Sequence, residues 1–269
     1  MTHASPASRR RLAPIAILAA LAICIRSHGF IPIKTGSGLA IAWPGGTLEY
    51  VVNSQGSDDV ADGSEQLAVR LAFQTWGAAL VGGLTISENT TADPTSTNTA
   101  DLSTHRVLFD ENDASGYFPS VTGIVALTPV WFTAGGAILD ADVIFNGRDH
   151  TFSTNLAPST FDVRDVATHE IGHFLGLDHS AIGGATMFPY VAAKQTDHRS
   201  LSDDDVAGMR NAYAGAGPPT GSLSGVAFHL AAGGGAGAPI RGGTVSARRG
   251  DGTVAAAALT KQDGSFSVR

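Results

Sequence analysis

Five residues in the stretch THEIGHFLGLDHS have types and spacing that could do chemistry: His169, Glu170, His173, Gly176 and His179. Residues four apart on an α-helix share a face about 6 Å apart along the axis, so His169 and His173 can aim imidazole nitrogens at one ion. Glu170 lies beside them. Gly176 can take a positive backbone angle, which ends the helix and lets the chain turn back to bring His179 to the ion as a third ligand. Three neutral imidazoles leave a fourth position for water, the arrangement expected of a catalytic rather than a structural zinc. Zinc lowers the pKa of such a water toward ~7, and Glu170 is placed to accept its proton. His105, His150, His198 and His229 have no such spacing and read as surface or satisfied core histidines.

Regular elements must hold these residues. A helix is expected from about Asp162 to Leu175, begun by Asp162 with Asp165 three residues later, and another from Ser202 to about Tyr213. Asp203, Asp204 and Asp205 fall in the first turn of the latter, where free N–H groups and the helix dipole favour negative charge, so the trio reads as capping. An earlier helix, Glu65 to Leu80, carries Leu67, Leu71, Ala72, Trp76 and Ala79 on one stripe, with Asp62 as a candidate capping residue. Strands are expected at Leu48 to Val52, Arg106 to Phe109, Gly123 to Thr128 and Ile138 to Phe145, the last alternating as a half-buried strand does. The polar run from residue 86 to 104 reads as a surface loop.

The chain has 269 residues, with 17 Lys plus Arg against 24 Asp plus Glu, a balance of -7 that argues against nucleic acid as a partner. Charged residues make up 15%, below the ~25% of an average domain, while 43% of the chain is apolar, so a real core is available. Arg9, Arg10 and Arg11 precede an apolar run of fourteen residues, Leu12 to Ile25. That is short of the ~20 needed to cross a bilayer and has the pattern of an export signal, with a twin-arginine route as a variant of it. Cleavage after Ala20-Leu21-Ala22 fits the small-x-small rule, and a cut nearer Gly29 stays open. A secreted product without a stable membrane anchor is expected, and loss of the three arginines takes its balance from -7 to -10. The one cysteine, Cys24, lies in that segment, so no disulfide forms within the chain.

With the histidine motif go Ser180 directly after the third histidine and Ala185-Thr186-Met187-Phe188-Pro189, with Met187 eight residues beyond His179. Leu201-Ser202 with Asp204, Asp205, Val206 and Gly208, and Ala72-Phe73-Gln74 with Trp76, complete a pattern over roughly residues 43 to 215. In these residues the chain resembles the metzincin metallopeptidases, and within them the matrixins. The resemblance implies an α+β fold: a twisted five-stranded sheet, two helices above a cleft and a small lower subdomain bearing the third helix. It implies a zinc endopeptidase acting on proteins or peptides, with Met187 packed beneath the metal. It also implies a substrate extended against an edge formed by Gly123, Ile124, Val125, Ala126 and Leu127. The chain departs from the pattern in having no cysteine-switch segment and no recognisable histidine and aspartate set for structural metals. Asp110, Glu111, Asp113, Asp140 and Asp142 could hold calcium, but solvated loop carboxylates are the simpler reading. Pro189-Tyr190 follows the methionine turn without the usual spacer, which leaves the wall of the specificity pocket open.

Beyond Gly217-Pro218-Pro219 come short alternating runs, Val226 to Leu230, Thr244 to Ala247 and Ser265 to Val268, between glycine-rich turns. They resemble the opening strands of a carboxypeptidase-regulatory-like sandwich, which needs more strands than are present here. The expected division is a signal segment at 1–29, a catalytic domain at 30–216 and a truncated β-sandwich-like region at 217–269, in a monomer. Two other functions fit the residues: an extracellular adhesion protein with a metal-bearing scaffold, and a zinc hydrolase of a non-peptide cell-wall amide.

Overall fold

A computed structural model describes residues 30–80, 82–213, 223–231, 235–248, 250 and 254–268. The export-signal run, Cys24 and Gly217-Pro218-Pro219 lie outside the described residues. At the centre is a five-stranded sheet of β2 (Gly46–Val52), β3 (Leu84–Glu88), β4 (His105–Phe109), β5 (Ala126–Leu127) and β8 (Val143–Phe145), in the order β3-β2-β4-β8-β5. Every pairing is parallel except that of β5 with β8, so β5 is an antiparallel edge. Together with helices α1 (Ser64–Gly77), α2 (Val163–Phe174) and α3 (Asp203–Tyr213), this makes an α+β fold.

Aromatic side chains with one polar end join the layers. Trp76 of α1 donates its indole N–H to the Thr168 carbonyl in α2 at 2.7 Å, and Trp43 donates to the Phe174 carbonyl at 2.7 Å. Tyr213 of α3 donates to the Leu175 carbonyl at 2.7 Å. Each ring fills the core while its N–H or O–H finds a backbone acceptor, so the donor is not buried unpaired. Phe73 stacks on Tyr50 of β2 at 3.6 Å and meets Phe174 edge-on, which packs α1 between the sheet and α2.

Several boundaries differ from the expected ones. Helix α1 ends at Gly77, and its cap is Gly63 at φ 70°. Asp62 does not form the expected capping box: it accepts from the Ser64 N–H at 3.1 Å, while Glu65 turns inward and is buried. The buried face of α1 is Ala68, Val69, Ala72, Phe73 and Trp76, with Leu67 left 57% exposed. The two aromatic rings, which bury the most area, decide the rotation of the helix. The expected strand Ile138 to Phe145 is two strands, β7 (Ile138–Ala141) and β8. Only β8 joins the central sheet; β7 pairs with β6 (Val130–Phe132). The break is at Asp142, whose carboxylate turns in to accept from the Arg106 N–H at 2.7 Å. Nor is this stretch half-buried, since apart from Leu139 all of it is buried. The polar run expected as loop from residue 86 begins inside β3.

Two-residue strands complete the scaffold. β1 (Ile31–Pro32) pairs antiparallel with β11 (Leu177–Asp178), and β9 (Phe152–Ser153) pairs with β10 (Phe161–Asp162) at the entrance to α2. Near the carboxyl end, β12 (Leu223–Val226) pairs with β17 (Ser265–Val268), β13 (Phe228–Leu230) with β14 (Ala236–Pro239), and β15 (Thr244–Arg248) with β16 (Val254–Leu259). Ala257 of β16 packs with Ala207 of α3 and with Phe30, and Arg248 forms an ion pair with Asp203. Among the described residues no helix is long and apolar enough to cross a membrane.

Candidate active site

Asp162 caps α2 as its sequence position implies, accepting from the Asp165 N–H at 2.8 Å, and Arg199 braces the same carboxylate at 2.8 and 2.5 Å. The helix presents His169 and His173 one turn apart and ends at Phe174, with Leu175 as its cap residue. Gly176 follows at φ 88°, and a Cβ there would lie 2.8 Å from the Ile41 carbonyl oxygen, so the reversal needs glycine both for its angle and for its space. The Ile33 N–H donates to the Gly176 carbonyl at 2.9 Å, and the β1–β11 pair then carries the chain to His179.

The three imidazoles converge, with ligand atoms all within 4.8 Å of one another. Nδ1 of His169 donates to the Thr186 carbonyl at 2.7 Å, and Nδ1 of His173 to the Leu177 carbonyl at 2.8 Å. A carbonyl only accepts, so these bonds fix the tautomers and leave both Nε2 lone pairs facing the centre. Nε2 of His173 and Nε2 of His179 are 3.1 Å apart, close to the about 3.3 Å between two nitrogen ligands on a tetrahedral zinc. Burial holds His169 and His173 down at about 4, well below the usual histidine range, so both are neutral donors at pH 7. Neutral, oriented nitrogen donors and no thiolate are a set that fits zinc.

Glu170 is 5% exposed, and burial raises its pKa above the ordinary carboxylate value. The Thr128 hydroxyl donates to Glu170 Oε2 at 2.7 Å. Met187 lies below α2, where a Cβ on Gly172 would come within 2.1 Å of its sulfur. The turn around Met187 is held by α3. Asp205 accepts from the Thr186 N–H at 2.8 Å and the Met187 N–H at 3.2 Å, and Asp204 accepts from the Ser180 hydroxyl at 2.8 Å. The acidic trio therefore does more than the expected capping, although Ser202 and Asp205 do cap the helix reciprocally: the Asp205 carboxylate accepts from the Ser202 N–H at 2.9 Å and the Ser202 hydroxyl from the Asp205 N–H at 3.4 Å.

A cleft of about 510 Å³ opens over these groups. His169, Glu170, His173 and His179 line its floor, Gly123, Ile124, Val125, Ala126, Leu127 and Thr128 one side, and Phe188, Pro189, Tyr190 and Val191 the other. The expected strand Gly123 to Thr128 is shorter than its sequence implies, since only Ala126 and Leu127 pair with β8. The preceding residues are held instead by Asn146, whose side chain donates to the Ile124 carbonyl at 2.9 Å and whose N–H donates to the Val125 carbonyl at 3.0 Å. Met187 does not line the cleft.

The carboxylates considered for calcium do not gather. Among the described residues, the three histidines are the one group with donors placed for a common ion. Asp110 accepts from Ala114 and Ser115, Asp113 from Phe118, and Glu111 from Asp58. Asp140 and Asp142 are not solvated loop groups but fully buried ones, the first paired with His105 at 2.6 Å. His198 is a buried histidine lining the cleft, its ring 3.2 Å from Asp165 and its N–H donated to that carboxylate at 2.7 Å. Gly172, Asp205 and His198, and the contact of Thr128 with Glu170, are what sequence reasoning did not place at the site. Their sequence positions do not say what they touch at the site, and only the fold brings those contacts together.

Comparison with known proteins agrees with this geometry. The matrixin family model matches residues 42–214. Karilysin of Tannerella forsythia is 32% identical over 173 residues, which cover 64% of this chain and 33% of that protein. Neutrophil collagenase of Homo sapiens is 27% identical over 173 residues, again 64% of this chain and 33% of that protein. Matrilysin of Rattus norvegicus is 44% identical over 48 residues, 18% of each chain. The match thus spans about a third of the length of the first two relatives. A family model covering well over half of the chain, and including the histidine turn just described, shows that the chain belongs to the matrixins.

Proposed function

We propose that this chain is a secreted zinc-dependent endopeptidase that hydrolyses peptide bonds in proteins or peptides. The observation that carries the reading is the convergence of His169, His173 and His179 beside a buried Glu170 on the floor of an open cleft. Zinc, when bound there, supplies an acidified water and an electrophile for the scissile carbonyl. The chain's residues do the rest. His169, His173 and His179 would hold the ion, the first two already oriented through their Nδ1 bonds. Glu170 takes the proton of the attacking water and passes it to the leaving amine. Burial supports that role, because a carboxyl whose pKa is raised toward the working pH both accepts and returns a proton readily. The substrate lies extended along β5, adding a strand to the sheet edge, with its side chains reaching toward Phe188, Tyr190 and Val191.

Export rests on the basic and apolar start of the chain, and the division at residues 29/30 and 216/217 belongs to the same reading. Glu170→Ala tests the mechanism: it is expected to load zinc as the parent does, because all three ligands remain, yet to leave casein uncut. Full turnover in that variant, or casein digestion by the parent undiminished by a chelator, would overturn the proposal.

A further inference from the structure

The strongest unexplained contact at the site is the one between Thr128 and Glu170. The Thr128 hydroxyl lies 2.7 Å from Glu170 Oε2 and 3.2 Å from the Glu170 carbonyl oxygen, so one O–H is directed at both the side chain and the main chain of the same residue. Thr128 directly follows β5, whose pairing with β8 fixes its backbone, and it precedes Pro129, which restricts it to extended conformations. β-Branching limits the hydroxyl further to few rotamers. The donor is therefore held rigidly by the sheet, while Glu170 is carried by α2. It is the only contact of the Glu170 carboxylate among the described hydrogen bonds, and the carboxylate is otherwise buried.

We propose that Thr128 is a positioning residue for the general base: its hydroxyl engages one carboxylate oxygen and thereby points the other at the attacking water. The idea rests on the assignment of Glu170 as base and goes beyond it by naming what orients that base. Without the bond, Glu170 would sample rotamers that face away from the centre. A loss of near-attack geometry of this kind falls on kcat and spares ground-state binding. Because Thr128 stands at the end of the strand along which the substrate is placed, the same short segment would set both substrate register and base direction.

The test compares Thr128→Val, which keeps the shape and removes the donor, with Thr128→Ser, which restores it. Zinc content, thermal midpoint, kcat and KM are read for each on one peptide substrate. Thr128→Val is expected to bind one zinc with an unchanged midpoint and KM while kcat falls on the order of 10- to 100-fold, the range for a hydrogen bond to a charged group. Thr128→Ser should recover most of that loss. A kcat within twofold of the parent in Thr128→Val overturns the proposal, as does loss of zinc or of the folded state in both variants, since the side chain would then be structural. Glu170→Ala in the same series separates the two ideas: if it is inactive while Thr128→Val is not, the base assignment stands and the positioning role falls.

Discussion

Asp142 shows what burial does to a single residue. It is fully buried, one oxygen accepting from the Arg106 N–H, and burial together with the nearby Asp140 charge pushes its pKa up to about 8. An unfolded aspartate titrates near ~3.9, so between pH 4 and 8 the folded chain holds a proton that the unfolded chain has released. Stability from this group is thus fully present below pH 4 and lost as pH rises toward 8. Asp142→Asn removes the loss and keeps the acceptor. Its thermal midpoint should match the parent near pH 4 and exceed it by a margin that widens up to pH 8; a constant offset would refute the shift. That His169, His173 and His179 converge could be read from sequence because i, i+4 spacing and a glycine stop are local. Asp142 and Thr128 could not, because what surrounds them comes from residues far away in the chain.

Helices α2 and α3 lie within a residue of where caps and periodicity place them, because Asp162 and Ser202 signal their starts locally. Strand β3 and the break between β7 and β8 were not legible, since pairing partners and burial on both faces decide them. Two predictions belong at this scale. Gly176→Ala combines a strained backbone angle with a 2.8 Å approach to the Ile41 carbonyl oxygen, and should cost about 1–3 kcal/mol of stability and weaken zinc binding by displacing His179. Equilibrium unfolding and zinc titration would show it, and an unchanged affinity would contradict it. Along β5, the Val125 carbonyl faces β8 through Asn146, so alternation turns the N–H and C=O of Ala126 to the cleft. Ala126→Pro, which removes that N–H, should therefore lower kcat/KM at least about tenfold while zinc content is kept; an unaltered rate would argue against an added substrate strand.

For the whole molecule, metal binding and folding are linked. A ligand that binds only the folded state adds about 2.7 kcal/mol when its free concentration is 100 times its Kd, so chelation should lower the melting temperature and zinc should restore it. Scanning calorimetry that shows no difference would disprove a folded-state metal site. The family matched in comparison and the architecture implied by motifs agree from residue 42 to 214, but how the carboxyl-terminal strands sit against α3 could not be read from their alternation. That contact has a mechanical consequence. On one side α3 meets β16 and Arg248, and on the other it grips Ser180 and the Met187 turn through Asp204 and Asp205. A tug on the tail would act as a lever on the one rod that carries both grips, so tension would be felt beneath the histidines before the central sheet began to tear.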